Sequence, residues 1–196
     1  MKIKVCGIKD EENLKDLCKL DIDYIGLIFA ESKRKVSFKN AEKLSKIARS
    51  NAKKVVGVFV DEEDSLILEV CKFLDVIQSY KMISEAFFNK LKALNKEIWQ
   101  VISVKDELIL PHKIYCDYVL FDTGGKNKGG NGFKFDWNLL KYYDKDFILA
   151  GGIGLDNIND AIKTGAFVLD INSKVENEQF LKDVELVKKI LKKVKQ

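Results

Sequence analysis

Eight short apolar runs recur along the chain, each parted from the next by a longer stretch that is apolar on one side only. The runs are IKVC (3–6), DYIGLIF (23–29), KVVGVFV (54–60), DVIQ (75–78), IWQVISV (98–104), DYVLF (117–121), FILAG (147–151) and FVLDI (167–171). Several are unbroken in Val, Ile, Leu and Phe, the pattern of parallel strands covered on both faces. Between them lie EENLKDLCKL, SFKNAEKLSKIAR, EDSLILEVCKF, SEAFFNKLKAL, DWNLLKYY, DNINDAIKTG and EQFLKDVELVKKILKK, whose spacing predicts helices. Asp10, Ser84 and Asp156 are placed as N-caps, and Gly165 as the stop of the seventh helix. The fifth interval, KDELILPHKIYC, holds Pro111 and reads as one irregular turn. Eight βα units without a linker or composition break predict an α/β fold, a closed (β/α)8 TIM barrel. It forms one compact domain over residues 1–196 rather than an open doubly wound sheet. The fold usually spans about 200 residues or more, so the loops here must be brief.

Charge excludes several function classes. Lys and Arg number 34 against 30 Asp and Glu, a net of +4, which makes a mixed surface rather than a strong field. The lysines of LVKKILKKVK (186–195) oppose Val187, Ile190, Leu191 and Val194 and read as the solvated side of a closing helix. Aromatic residues do not interleave with basic ones, so no nucleic-acid partner is expected. No apolar run approaches the ~20 residues of a membrane span, and MKIKVCGIKD meets charge too soon for an export signal. A cytoplasmic protein with no membrane partner is the expectation. Cys6, Cys18, Cys71 and Cys116 form no CxxC pair and are expected as reduced thiols. A single histidine, His112, argues against a His-rich metal site and a serine–histidine relay.

In a barrel of this kind the chemistry sits at the carboxyl ends of the strands. Cys6 ends the first run, and Gly7 leaves space beside it. On position alone, a thiol at the barrel mouth and a buried small hydrophobe fit Cys6 equally well. Asp122 follows the sixth run and heads FDTGGKNKGGNGFKFDW (121–137), whose five glycines suit a lid over the mouth. An ordinary turn aspartate is the alternative. AGGIGLDN (150–157) and DINSKVEN (170–177) follow strands seven and eight, where such barrels often build a phosphate pocket. Gly151, Gly152, Asn172, Ser173 and Lys174 are its candidate residues. Lys174 either adds a direct charge or is an exposed lysine without a role.

The fragments VCGI (5–8), SKRKVS (32–37), VGVFV (56–60), FDT…GGNGFKFDW and LAGGIGLDNI resemble the phosphoribosylanthranilate isomerase family of tryptophan biosynthesis, in order and spacing over nearly the whole chain. The resemblance implies a cofactor-independent Amadori isomerase of ketol-isomerase type, converting N-(5'-phosphoribosyl)anthranilate to 1-(2-carboxyphenylamino)-1-deoxyribulose 5-phosphate. It assigns Cys6 as general base, Asp122 as general acid, and Arg34 to the anthranilate end of the substrate, with Gly130 and Asp170 as further substrate contacts. No metal and no organic cofactor are implied. A small-molecule substrate is the partner, and the chain is read as a monomer with a homodimer as the alternative. Departures touch ligand contacts. Lys33 and Lys35 flank the arginine in place of proline and tyrosine. QSYK (78–81) stands where QLHG is common, GGNG (129–132) for GGTG, and DINSKVE for DVSSGVE.

Two groups of opposite protonation suffice for an Amadori step, but at neutrality a free thiol is mostly protonated and a carboxyl mostly ionised. A cation beside Cys6 would reverse that. Strand alternation is read as turning Lys4 away, which leaves the cation unassigned. A related histidine-pathway isomerase would show a half-repeat and an aspartate at position 6, and neither is present. A catalytically silent phosphate-sugar sensor on the same barrel would lack the acid or the base.

Overall fold

Apolar runs become strands here because each is covered twice, by the barrel interior and by a surrounding layer. The computed structural model describes residues 1–124 and 134–195. Eight strands form: β1 (Lys2–Cys6), β2 (Tyr24–Ile28), β3 (Lys54–Phe59), β4 (Val76–Ser79), β5 (Glu97–Val104), β6 (Tyr118–Thr123), β7 (Phe147–Leu149) and β8 (Val168–Ile171). All pair in parallel in chain order, and β8 returns to β1, so the sheet closes as the expected (β/α)8 barrel. β2 is buried at every position.

Outside lie α1 (Glu11–Cys18), α2 (Phe38–Ser50), α3 (Asp64–Val70), α4 (Glu85–Ala93), α5 (Ile158–Lys163) and α6 (Val184–Val194). Asp10 and Ser84 cap as expected, accepting from the N–H groups of Asn13 at 2.8 Å and Phe87 at 3.2 Å. The N-cap of α5 is Asn157 rather than Asp156, whose carboxylate pairs instead with Lys174 at 3.4 Å. Gly165, at φ 75°, follows the end of α5.

Two helix expectations need correction. DWNLLKYY is a 3-10 turn over Trp137–Tyr142, not an α-helix. The last helix begins at Val184, well inside the EQFLKDVELVKKILKK pattern. Local polar groups prevail over helix spacing there. Asn177 Oδ1 accepts from the N–H groups of Gln179 and Leu181, each at 3.0 Å, and turns the chain back. Residues 176 to 182 thus form a return loop closed by an antiparallel bridge between Glu176 and Lys182. Asp183 then caps α6, accepting from Glu185 N–H at 2.9 Å.

The barrel interior is apolar toward the amino ends, where Tyr24 meets Trp99 edge-on at 5.0 Å. Polar side chains gather toward the carboxyl ends. Gly26, paired with Cys6 in the ladder, makes the room they need. A Cβ on Gly26 would lie 2.7 Å from the Cys6 sulfur and 3.0 Å from Lys4 Cε. Gly26→Ala is therefore expected to lose about 1–3 kcal/mol through overpacking. Urea unfolding measures it, and a loss under about 0.5 kcal/mol would mean that the strand around Cys6, whose Cα lies 2.9 Å from the added Cβ, gives way freely.

Candidate active site

A hollow of about 750 Å³, counted with the space open to solvent, lies at the carboxyl ends of the strands. Cys6, Arg34, Asp122 and Asp170 line it. So do Gly151, Gly152, Asn172, Ser173 and Lys174 from the loops after β7 and β8. Gly130 and most of the glycine-rich stretch read as a lid lie outside the described residues. Gly7, at φ 77°, turns the chain off β1 without filling the mouth: a Cβ there would sit 2.7 Å from Arg34 Cδ.

Lys4 faces the same way as Cys6, contrary to the expectation that it turns away. Residues two apart on a strand share a face, so alternation counted from Cys6 places Lys4 inside the barrel. Its ammonium is fully buried and donates to Asp170 Oδ2 at 2.6 Å and Gln78 Oε1 at 2.7 Å. Burial alone would lower this amine, but the Asp170 carboxylate, aided by Cys6, holds it protonated with a raised pKa. Burial pushes the Cys6 thiol up, and the charges of Lys4 and Lys182 pull it back only in part.

Lys182 has no signal in the sequence, where it falls in a stretch patterned like a helix surface. The return loop buries it instead. It donates to Asn172 Oδ1 at 2.7 Å and to the Glu176 carboxylate, and burial draws its amine below the ordinary value. Glu176 also takes both arms of Arg34, accepting from Nε at 2.7 Å and Nη2 at 2.6 Å. Burial would raise the Glu176 carboxyl, yet Arg34 and Lys182 hold it below the usual range. The Arg34 guanidinium also lies 5.6 Å from the Phe180 ring centre. Its plane is thereby fixed at the pocket edge.

Asp122 lies within β6, paired with Ser103, rather than just beyond the strand. Its Oδ2 accepts the Tyr80 phenol at 2.5 Å, and its Oδ1 accepts the N–H of Thr123 at 2.8 Å. Burial pushes its carboxyl up despite those two donors, and the charge of Asp170 adds to the rise. Tyr80, from the QSYK departure, thus finds its partner in Asp122. Gly151 is needed twice over: its φ is 89°, and a Cβ would sit 2.9 Å from Asp122 Oδ1. Asn172 and Lys174 line the hollow while their side chains also meet Lys182, at 2.7 Å, and Asp156, at 3.4 Å.

Among the described residues, no group of three or more His, Cys, Asp or Glu is placed to hold a metal ion. No described helix is long and apolar enough to cross a membrane. Residues 3–193 match the sequence profile of the N-(5'-phosphoribosyl)anthranilate (PRA) isomerase family. The chain is 55% identical over 197 residues to N-(5'-phosphoribosyl)anthranilate isomerase of Campylobacter jejuni, covering 100% of this chain and 99% of that one. It is similar to the crystal structure of phosphoribosyl anthranilate isomerase from Thermotoga maritima, at 27% identity and TM-score 0.84 over 100% of this chain and 98% of that one. A second isomerase structure, solved in complex with reduced 1-(o-carboxyphenylamino)-1-deoxyribulose 5-phosphate, matches at 25% identity and TM-score 0.80, with the same 100% and 98% coverage.

Proposed function

The chain belongs to the N-(5'-phosphoribosyl)anthranilate isomerase family of tryptophan biosynthesis, and from that premise we propose how its own residues carry the reaction. Asp122, as general acid, protonates the ribose ring oxygen, and the ring opens to a Schiff base. Cys6, as thiolate, then takes the proton from C2′. The resulting enolamine becomes the ketone as O2′ loses a proton and C1′ gains one, so the net change is an isomerisation. No redox or metal step is needed, because one acid and one base balance the protons.

Each assignment has a physical support. Burial favours a protonated Asp122, the form an acid needs. Lys4 and Lys182 favour the Cys6 thiolate, the form a base needs. At rest burial favours the thiol of Cys6, so the competent arrangement, a thiolate with a protonated carboxyl, is the less populated one. Arg34, held flat by Glu176, suits the planar carboxylate of the anthranilate ring. The backbone around Gly151 and Gly152, with Asn172, Ser173 and Lys174, suits the phosphate at the far end. Asp170 and Gly130 complete the substrate contacts in this reading, and the cytoplasm is its setting.

The observation that carries the reading is a single hollow shared by a lysine-flanked sulfur and a buried carboxyl. Purified protein mixed with freshly made phosphoribosylanthranilate should consume its fluorescence well above the rate of spontaneous breakdown. Decay no faster than breakdown would leave a silent phosphate-sugar sensor as the better account.

A further inference from the structure

Asp122 is bonded on both oxygens before any substrate arrives. Oδ1 is held by the N–H of the next residue, Thr123, at 2.8 Å, a bond the strand end imposes. Oδ2 is held by a group from two strands away, the Tyr80 phenol at 2.5 Å. Tyr80 is itself anchored: its N–H donates to the Phe59 carbonyl at 3.0 Å, which fixes the residue to the end of the β3–β4 ladder. Burial, with the nearby Asp122 charge, keeps this phenol protonated far into alkali, so toward a carboxylate it acts as a donor.

A donor to a carboxylate stabilises the ionised form. A proton arriving on Oδ2 would meet the phenol hydrogen, which would have to turn away before the oxygen could carry it. We propose that Tyr80 is a positioning residue for the acid: its phenol aims the Asp122 carboxyl into the hollow and competes with the proton that this carboxyl must carry to act. The inference rests on the reading of Asp122 as general acid. Tyr80 acts through Asp122, and in this role it transfers no proton itself.

Other charges bear on the same carboxyl and must stay constant in a test. Asp170 on β8 raises it, while Lys4 on β1 lowers it. Cys6, also on β1, bears on Tyr80. From the β7 side it meets Gly151, which is uncharged. Tyr80→Phe removes only the hydroxyl and leaves these groups and the ring packing in place.

Loss of a donor to the ionised form lets the carboxyl hold its proton to higher pH. Because the thiol is pushed up, the acidic limb of the kcat/KM profile belongs mainly to Asp122, the group of lower pKa. Tyr80→Phe is expected to move that limb up by about one pH unit, a tenfold change in proton affinity, with KM little altered. In an infrared titration of the substrate-free protein, the part of the protonated-carboxyl band that Asp122→Asn removes should persist to correspondingly higher pH in Tyr80→Phe, while the part owed to Asp170, which burial also raises, stays in Asp122→Asn. An unmoved limb and band in a folded Tyr80→Phe protein would overturn the proposal. So would a turnover loss as deep as that of Asp122→Asn, which would make the phenol the donor itself. If Asp122→Asn keeps normal turnover, the acid assignment fails; the infrared titration still decides whether Tyr80 governs that carboxyl.

Discussion

Turnover of the Cys6→Ala and Asp122→Asn proteins is expected to fall about a hundredfold or more each, with substrate affinity little changed. Each change removes one partner in a proton transfer and leaves the groups proposed to hold the anthranilate and phosphate ends untouched. Asparagine at 122 can keep the Thr123 N–H bond on its one oxygen and turn its amide NH2 to the Tyr80 oxygen as donor, so the barrel end should keep its shape. Alanine at 6 removes a buried sulfur but leaves the Lys4 bonds to Asp170 and Gln78 in place. The double variant should be little worse than the poorer single one, because groups that act as a unit do not lose rate additively. Steady-state kinetics on the three proteins, with thermal unfolding as the control for fold, decides it. A folded single variant within tenfold of the parent would remove that residue from the mechanism.

Lys4→Met is expected to cost about 3–5 kcal/mol of stability at neutral pH, the usual penalty for leaving one partner of a buried ion pair alone. Asp170 is 5% exposed and Lys4 not at all, so little water reaches the pair in place of the lost ammonium. Gln78 loses a donor in the same step. The penalty should shrink as pH falls, because a protonated Asp170 no longer needs a counter-charge. Adding Asp170→Asn should recover most of the stability by removing the orphaned carboxylate. It should recover the thiol only in part: the Asp170 charge that raises Cys6 is gone, but so is Lys4, the largest of the charges that oppose its burial. Alkylation of Cys6 by iodoacetamide should then need higher pH than in the parent. Denaturant unfolding and the alkylation rate separate the two effects. A Lys4→Met protein within about 1 kcal/mol of the parent would mean that the interior pair is far better solvated than its burial indicates.

Period and local chemistry carry much of this molecule. The eight runs appear as strands because continuous apolar residues have no other way to cover both faces. Cys6, Asp122 and the two loops after β7 and β8 share one mouth because a closed parallel barrel sends every carboxyl end to the same side. The face of Lys4 follows from counting by two from Cys6. Where the pattern misled, a short-range polar group had prevailed. Asn177 and Asp183 bend residues 176–183 out of the helix that their spacing suggests, and in doing so they bury Lys182 beside Asn172.

What the chain's own order determined, then, is which residues reach the mouth and which way they face. Which of them touch was decided only when the sheet closed. Tyr80 meets Asp122 across 42 residues, Arg34 meets Glu176 across 142, and Lys4 meets Asp170 across 166, the last because β8 comes back to β1. The reason is physical: periodicity is a property of neighbours along the chain, whereas the partner of a buried charge is set by whichever polar group the folded interior brings within about 3 Å of it.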